Sequence, residues 1–175
     1  SAFFRVNDRV ECWFDVDGLF PWRFAKHLEE GKWFSEQEII YDQINHVAYN
    51  TTVTKKGTTK DTLQIPPFVQ DVLGVLYYIR TVDLKVGKSV WVDNHADDKV
   101  YLLEIKVHKK EKIKVPAGKF ECLKVEPLLQ GEGIFKRKGR LTVWLTDDEK
   151  KLPVLMKSKI FIGSISARLK SFRIE

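Results

Sequence analysis

A polar loop in the middle of the chain, D-N-H-A-D-D, holds the residue types best suited to binding a metal ion. Its members and one later glutamate fall at the first, third, fifth and twelfth positions of an EF-hand-like count: Asp93, His95, Asp97 and Glu104. Such a loop needs glycine at its sixth position and a helix on each side, whereas Asp98 stands there and no flanking helices are expected. We therefore predict a solvated loop without a metal.

The residue types that could support catalysis are scattered along the chain. The four histidines lie on separate predicted elements: His27, His46, His95 and His108. The sequence around Ser164 lacks the G-x-S-x-G pattern of a nucleophile elbow. The adjacent carboxylates at 147–149 lie in a turn, where consecutive side chains point in different directions. We predict no catalytic residues, no cofactor and no enzymatic activity.

The densest basic stretch, residues 106–114, is predicted to be a strand with lysines along one face. That face would carry Lys106, His108, Lys110, Lys112 and Lys114. It could follow phosphates or anionic lipid headgroups, but it lacks the interleaved aromatic residues that stack on bases. Lysines on an exposed strand also discourage edge-to-edge aggregation. With a net charge of +6, we predict a solvated face and no nucleic-acid partner.

The two cysteines, Cys12 and Cys122, are too far apart in sequence for a C-x-x-C motif. Cys12 alternates with apolar neighbours, which favours a buried thiol. A disulfide between the two cysteines would require an oxidising compartment, and both alternatives stay open.

Aromatic side chains are frequent, at 12% of the residues. They could simply pack the core, or they could line an apolar pocket of the kind that binds small molecules. The second reading predicts a hydrophobic ligand site formed by Trp22, Phe24, Leu73, Leu76, Tyr77, Trp91 and Trp144.

The stretch at 65–80, I-P-P-F-V-Q-D-V-L-G-V-L-Y-Y-I-R, favours a helix. The two prolines exclude helical geometry before Pro67, which suits a first helical position. The apolar residues that follow surround the helical wheel, so a helix at 67–80 would have to be enclosed. A buried strand is the alternative, and Gly74 counts against the helix by about 1 kcal/mol.

Alternating apolar residues and regular turns predict strands elsewhere. Four strands are expected before the helix and about six after it, at 8–16, 19–28, 33–42, 46–55, 89–93, 99–115, 120–126, 134–146, 152–162 and 164–174. Residues 55–60 are expected to form a hairpin tip. This order predicts an all-β fold in which one curved antiparallel meander, a half-open β-barrel, wraps around the helix.

The length of 175 residues predicts a single domain, 1–175. We expect no transmembrane segment, because no apolar run is long enough. The first residues do not form a signal peptide. They resemble the middle of a strand, so the chain is expected to be cut at its start.

Four groups of residues together resemble a known bacterial family. They are I-P-P-x-x-Q-D-x-L-x-x-L-Y-Y-x-R at 65–80, V-P-A-G-x-F-E at 115–121 with V-E-P at 125–127, G-I-F-K-R-x-G-R-L-x-V-W-L-T-D-D-E-x-x-L-P-V at 133–154, and I-G-S-I at 162–165. The chain resembles domain-of-unknown-function family 3108 over nearly its whole length.

This resemblance implies an exported, periplasmic cell-envelope protein without established catalytic residues. It also implies a cleaved signal and a leading β-hairpin, both of which are expected to be missing from the N-terminus of this chain. The architecture also looks like the LolA/LolB-type half-open barrels that carry lipoproteins and lipids across the periplasm. The expected function is therefore non-catalytic binding of a lipid-like or other hydrophobic ligand in the concave face of the sheet. The alternative is a protein–protein interaction module that uses the basic face and an open sheet edge.

Overall fold

The computed structural model describes residues 6–96, 98–129, 141–159 and 164–173. These residues form eleven β-strands and one short helix, which confirms the all-β prediction. The expected strand segments at 134–140 and 160–162, and Asp97 of the polar loop, lie outside the described residues. Within the described ranges, no helix has both the length and the apolar character needed to cross a bilayer.

The first five strands form one antiparallel sheet in chain order, β1-β2-β3-β4-β5. They are β1 (Arg9–Asp15), β2 (Phe20–Glu30), β3 (Trp33–Asp42), β4 (Val47–Thr54) and β5 (Gly57–Gln64). The helix α1 (Gly74–Tyr78) follows.

The remaining six strands form a second sheet in the order β11-β10-β9-β8-β7-β6. They are β6 (Ser89–Ala96), β7 (Lys99–Val115), β8 (Gly118–Leu129), β9 (Leu141–Thr146), β10 (Pro153–Lys159) and β11 (Ser164–Arg168).

The strands thus form two sheets and not the single curved sheet that we expected. The long connection at 65–88 separates β5 from β6, and β6 adds to the edge of β7 instead of continuing the first sheet. The chain divides into two compact units, Ser1–Tyr78 with Asp93–Tyr101 and Ile79–Val92 with Leu102–Glu175. That residues 1–175 form one domain stays a prediction.

Strand β5 was missing from the sequence prediction, which placed a hairpin tip there. The chain turns at Lys55 and Lys56, and Gly57 then pairs with Thr54. Seven of the eight residues of β5 are exposed, and Leu63 is half-buried. An edge strand that is exposed on both faces has no apolar alternation, so the usual sequence signal is absent.

The core of the first unit lies on one face of its sheet. Strand β3 alternates as predicted, with Ile39 and Tyr41 buried between exposed neighbours. Residues from the connection after β5 cover this face, so the core consists of Phe24, Ile39, Tyr41, Ala48, Ile65 and Val69.

The helix is much shorter than the predicted 67–80, and it is not enclosed on all sides. Phe68 has a left-handed φ of 59°, and Gln70 forms a parallel β-bridge with Asn94. Because neither residue is helical, the helix can begin only after Gln70. Phe68, Val72 and Tyr77 are 62%, 41% and 52% exposed. The segment packs through one side only, which includes Val69.

The second unit has a separate core around β8 and β9, built from Val115, Cys122, Trp144, Val154 and Leu155. Cys122 is therefore a buried residue of this core, and both cysteines are free thiols. The structure therefore contains no disulfide between Cys12 and Cys122.

The one-sided packing of the connection predicts different effects for two valines of the same segment. Val69→Asp places an unpaired carboxylate at a position that is 0% exposed, so we expect it to lower the free energy of unfolding by more than about 3 kcal/mol. Val72→Asp, at an exposed position, should change it by less than about 0.5 kcal/mol. Thermal and urea unfolding followed by circular dichroism measure both, and equal stabilities would contradict this packing.

Candidate functional site

Gln70 joins three segments of the first unit by hydrogen bonds. Its main-chain N–H donates to the carbonyl of Asp93 at 2.8 Å, and its carbonyl accepts from the N–H of His95 at 2.7 Å. Its side-chain amide donates to the carbonyl of Leu19 at 2.8 Å, and its carbonyl also accepts from the amide of Asn94 at 3.0 Å. With only 1% of its surface exposed, Gln70 is a buried polar anchor for the connection.

Asp71 lies three residues before α1 and is also buried, at 1% exposure. Its Oδ1 atom accepts hydrogen bonds from the N–H groups of Leu73 and Gly74, both at 2.7 Å, which is the geometry of a helix N-cap. Burial raises the pKa of the Asp71 carboxyl above its ordinary value, and hydrogen bonds from Cys12, Gly74 and Leu73 offset only part of this effect.

Asp71 interacts with the half-buried Cys12 and with Tyr41, and Tyr41 contacts His95. We call the four together the buried polar cluster: Cys12, Tyr41, Asp71 and His95. Burial, followed by the hydrogen bond and negative charge of Asp71, raises the pKa of the Cys12 thiol. Burial and the charge of Asp71 also raise the pKa of Tyr41, whose hydroxyl lies 3.2 Å from Nδ1 of His95. Near neutral pH the thiol stays protonated, so it is a poor nucleophile.

The predicted solvated loop around His95 is wrong. Asp93, Asn94 and His95 belong to β6, and the last two are each 2% exposed. The physical reason is the pairing with Gln70, a partner distant in sequence, which satisfies the main-chain groups and allows polar side chains to be buried. Across the described residues, no group of three or more histidine, cysteine or carboxylate side chains could hold a metal ion.

Two cavities of the first unit could hold small molecules. One, of about 320 Å³, lies over the outer face of the sheet between ion pairs such as Arg23–Glu38 and His27–Glu36. The other, of about 280 Å³, is lined by Asn50, Asp61, Thr62, Leu63, His95 and Asp98. Polar and charged residues form most of the lining of both cavities, so neither resembles the apolar pocket that the aromatic residues predicted.

Exposed aromatic rings instead gather where the β1–β2 turn meets the connection. Phe20 contacts Trp22 and Phe68, with ring centroids 4.9 and 5.7 Å apart. Phe14 contacts Tyr77 at 5.8 Å. The Trp22 indole donates a 3.0 Å hydrogen bond to Asp15, which fixes its orientation. We call these five rings the aromatic patch: Phe14, Phe20, Trp22, Phe68 and Tyr77.

Gly74 lies close to Phe14, a member of the aromatic patch, and to Gln70. A Cβ atom at this position would lie 2.9 Å from Oε1 of Gln70 and 3.3 Å from the ring of Phe14. Gln70 in turn donates to the carbonyl of Phe68 at 2.8 Å. A larger residue at position 74 would therefore displace side chains that contact the aromatic patch.

The structure distributes the seven predicted ligand residues unevenly. Trp22 and Tyr77 belong to the aromatic patch and are 41% and 52% exposed. Leu73 and Leu76, in and beside α1, are half-buried. Phe24 is a core residue at 5% exposure, where it packs against the connection and has little surface for a ligand.

The other two predicted ligand residues belong to the second unit. Trp91 is 44% exposed on β6, whereas Trp144 on β9 is 7% exposed. The indole of Trp144 donates a 2.7 Å hydrogen bond to Glu111, and the ammonium groups of Lys124 and Lys157 lie 5.6 and 5.5 Å from its ring centroid. Trp144 therefore has packing and cation–π partners of its own.

The basic stretch of β7 does not present one continuous lysine face. A bulge shifts the register between Val107 and Lys109, so Lys106 and Lys110 point to opposite faces. Lys110 and Lys112 form ion pairs with Asp147 and Glu121.

His108, at the same bulge, contacts the buried Glu126 with 2.6 Å between Nε2 and Oε2. The sequence analysis did not foresee this contact, because an alternating pattern assigns His108 to the lysine face. The bulge gives the imidazole a buried carboxylate as its partner.

Sequence reasoning also missed the role of Gln70 and Asp71. The available signal was that they are the only strongly polar residues between Pro67 and Arg80 in an otherwise apolar stretch. Such residues are buried only when they have hydrogen-bond partners, and those partners lie far away in the sequence.

The raised pKa of Asp71 leads to a prediction about stability and pH. A carboxyl whose pKa is higher in the folded state costs stability as the pH rises from its ordinary value of 3.8 to the raised value. Asp71→Asn keeps an oxygen acceptor for the helix cap and removes the charge. We therefore expect its stability relative to the wild type to increase with pH over this window, by about 1.4 kcal/mol for each unit of the shift.

Urea unfolding at a series of pH values measures this difference. Asp71→Leu removes the charge as well but loses both cap hydrogen bonds, so it should be less stable than Asp71→Asn by about 1–2 kcal/mol. A stability difference between Asp71→Asn and the wild type that does not change with pH would contradict a raised pKa.

Comparison with known proteins gives one match. The family model described as "Protein of unknown function (DUF3108)" matches residues 1–170. No curated protein and no solved structure matches the chain.

Proposed function

The chain belongs to the DUF3108 family of proteins of unknown function, and on that premise we propose that it is an exported, non-catalytic binding protein of the cell envelope that holds a hydrophobic, lipid-like ligand. The aromatic patch is the observation that carries the ligand part of this proposal. Periplasmic localisation and the likeness to half-open lipid-carrying barrels belong to the proposal through family resemblance and architecture alone.

The aromatic patch has the features of a surface that binds apolar molecules. Three of its rings keep 41–62% of their surface exposed: Trp22, Phe68 and Tyr77. A ligand that covers these rings removes apolar surface from water. This burial favours binding by about 25 cal/mol per Å². The hydrogen bond between Trp22 and Asp15 holds one ring in place before binding, which reduces the entropy lost on association.

The buried polar cluster supports a structural and not a catalytic role. Its thiol has a raised pKa, which is opposite to the shift that activates a nucleophilic cysteine. Its carboxyl already accepts two main-chain hydrogen bonds as a helix cap. These groups hold the connection on the sheet and so position the aromatic patch.

Binding of a fluorescent long-chain fatty acid to the purified protein tests the proposal. We expect Trp22→Ala to weaken binding by about tenfold or more, because removing a buried aromatic contact costs about 1.5–3 kcal/mol. Trp33→Ala is the matched control, since Trp33 is 57% exposed but lies at the opposite end of β2 and β3, outside the aromatic patch. Equal affinities of both variants, or no saturable binding by the wild type, would refute a ligand site at the aromatic patch.

A second candidate function is protein–protein interaction through open sheet edges. Strand β5 at one edge of the first sheet is almost wholly exposed, and all residues of β11 at one edge of the second sheet are exposed. Exposed edge strands can pair with a strand of another protein. The basic face supports this alternative less than the open edges do, because Lys110 and Lys112 already form ion pairs with carboxylates of the same chain.

Proline substitutions separate this candidate from the first. In a pull-down from an envelope fraction, Ser166→Pro in β11 should remove a partner that pairs with this edge, because proline lacks the N–H that a ladder requires. Fatty-acid binding should remain unchanged in the same variant. A partner retained by both Ser166→Pro and Thr59→Pro in β5 would count against edge pairing.

A further inference from the structure

Three loops meet at one end of the first sheet, and each presents a large apolar side chain to solvent. Strands β1, β3 and β5 end there, and β2 and β4 begin there, because the sheet is antiparallel. Val16 lies in the β1–β2 loop, Ile44 in the β3–β4 loop and Phe68 in the connection after β5. We call these three residues the apolar tip.

The side chains of the apolar tip are among the most exposed apolar residues of the described chain. Val16 is 78% exposed, Ile44 is 81% exposed and Phe68 is 62% exposed. Single exposed apolar residues are ordinary on protein surfaces. Three at one end of a sheet, each at a different loop, require a common explanation.

Buried hydrogen bonds hold the three loops together. The Gln43 amide donates to the carbonyl of Pro21 at 3.1 Å, and the Gln70 amide donates to the carbonyl of Leu19 at 2.8 Å. The N–H of Ile65 donates to the carbonyl of His46 at 2.9 Å. Each loop is therefore hydrogen-bonded to a neighbouring segment, and these bonds hold the residues of the apolar tip in place.

Backbone strain is a second and independent observation at the same loops. Leu19, His46 and Phe68 have left-handed φ values of 58°, 57° and 59°. Residues other than glycine rarely adopt this backbone conformation, and it persists only where the surrounding structure enforces it. One such residue occurs in each of the three loops, and Phe68 is itself a residue of the apolar tip.

We propose that the apolar tip inserts into the surface of a lipid bilayer with zwitterionic headgroups. The three side chains are separated by polar residues of their own loops, such as Asp17 and Asn45, which are exposed. Such separate projections can each enter an acyl layer. Trp22 and Tyr77, which lie near the loops, are residue types favoured at membrane–water interfaces.

Charge identifies the kind of lipid surface. The N–H of Gly18 and the indole of Trp22 lower the pKa of Asp15, and the side chain and N–H of Asn45 lower the pKa of Asp42. With Asp17, these ionised carboxylates surround the base of the apolar tip. They complement the ammonium groups of phosphatidylcholine or phosphatidylethanolamine and repel anionic headgroups.

Co-sedimentation of the full chain with phosphatidylcholine–phosphatidylethanolamine vesicles tests the proposal. We expect the wild type to bind, and the double variant Val16→Ser/Ile44→Ser to bind at least about tenfold more weakly. Ile165→Ser is the matched control, because Ile165 is also an exposed isoleucine, at 63%, but lies on β11 of the second sheet. It should bind like the wild type.

Replacing a third of the lipid with phosphatidylglycerol should weaken binding, and raising the salt concentration should reduce that effect. Wild-type protein that stays in the supernatant, or a double variant that sediments like the wild type, would overturn the proposal. So would a concentration-dependent dimer that forms without lipid and is lost in the double variant, since this outcome would assign the apolar tip to a second copy of the chain.

The apolar tip and the aromatic patch share Phe68, but the two proposals are tested with different residues. Val16 and Ile44 lie outside the aromatic patch, so the double variant should bind the fluorescent fatty acid normally in the absence of vesicles. Trp22→Ala reports on the ligand site and the double variant on the bilayer, and a failure of either proposal can be recognised separately.

Discussion

The hydrogen bonding of Gln70 is the interaction on which the first unit depends. One residue with 1% exposure uses its main chain to pair with β6 and its side chain to hold the β1–β2 loop. A buried amide without these partners would cost about 1–3 kcal/mol for each unsatisfied group. The connection after β5 lies on the sheet in the register that pairs the main-chain groups and the side-chain N–H groups of Gln70, whereas its Oε1 atom has no hydrogen-bond partner among the described residues.

That register has consequences on both sides of the connection. Toward the sheet it places Val69 in the core and Asp71 beside Cys12 and Tyr41. Burial is the main cause of the raised pKa values of these three titratable groups, and the charge of Asp71 adds to the effect at Cys12 and Tyr41. Toward solvent it leaves Phe68 and Tyr77 exposed. The same register thus buries polar groups on one side of the connection and exposes aromatic rings on the other.

Several departures from regular structure coincide with unusual side-chain positions. The bulge in β7 brings His108 to the buried Glu126, and left-handed residues occur in the three loops at one end of the first sheet. Bulges and strained turns are commonly retained because they redirect a side chain. In this protein the bulge places a histidine against a buried carboxylate in one unit, and in the other unit the left-handed Phe68 is exposed.

The sequence alone determined the all-β class, the family and the strands with clear alternation, such as β3, because alternation and turn chemistry are local properties of the chain. It also marked Gln70 and Asp71 as polar residues in an apolar stretch. Only the tertiary structure decided that α1 spans five residues, that the exposed strand β5 exists, that Asn94 and His95 are buried, and that two sheets form. Each of these depends on which distant main-chain group pairs with which, and neither hydrophobic periodicity nor residue preference records such a pairing.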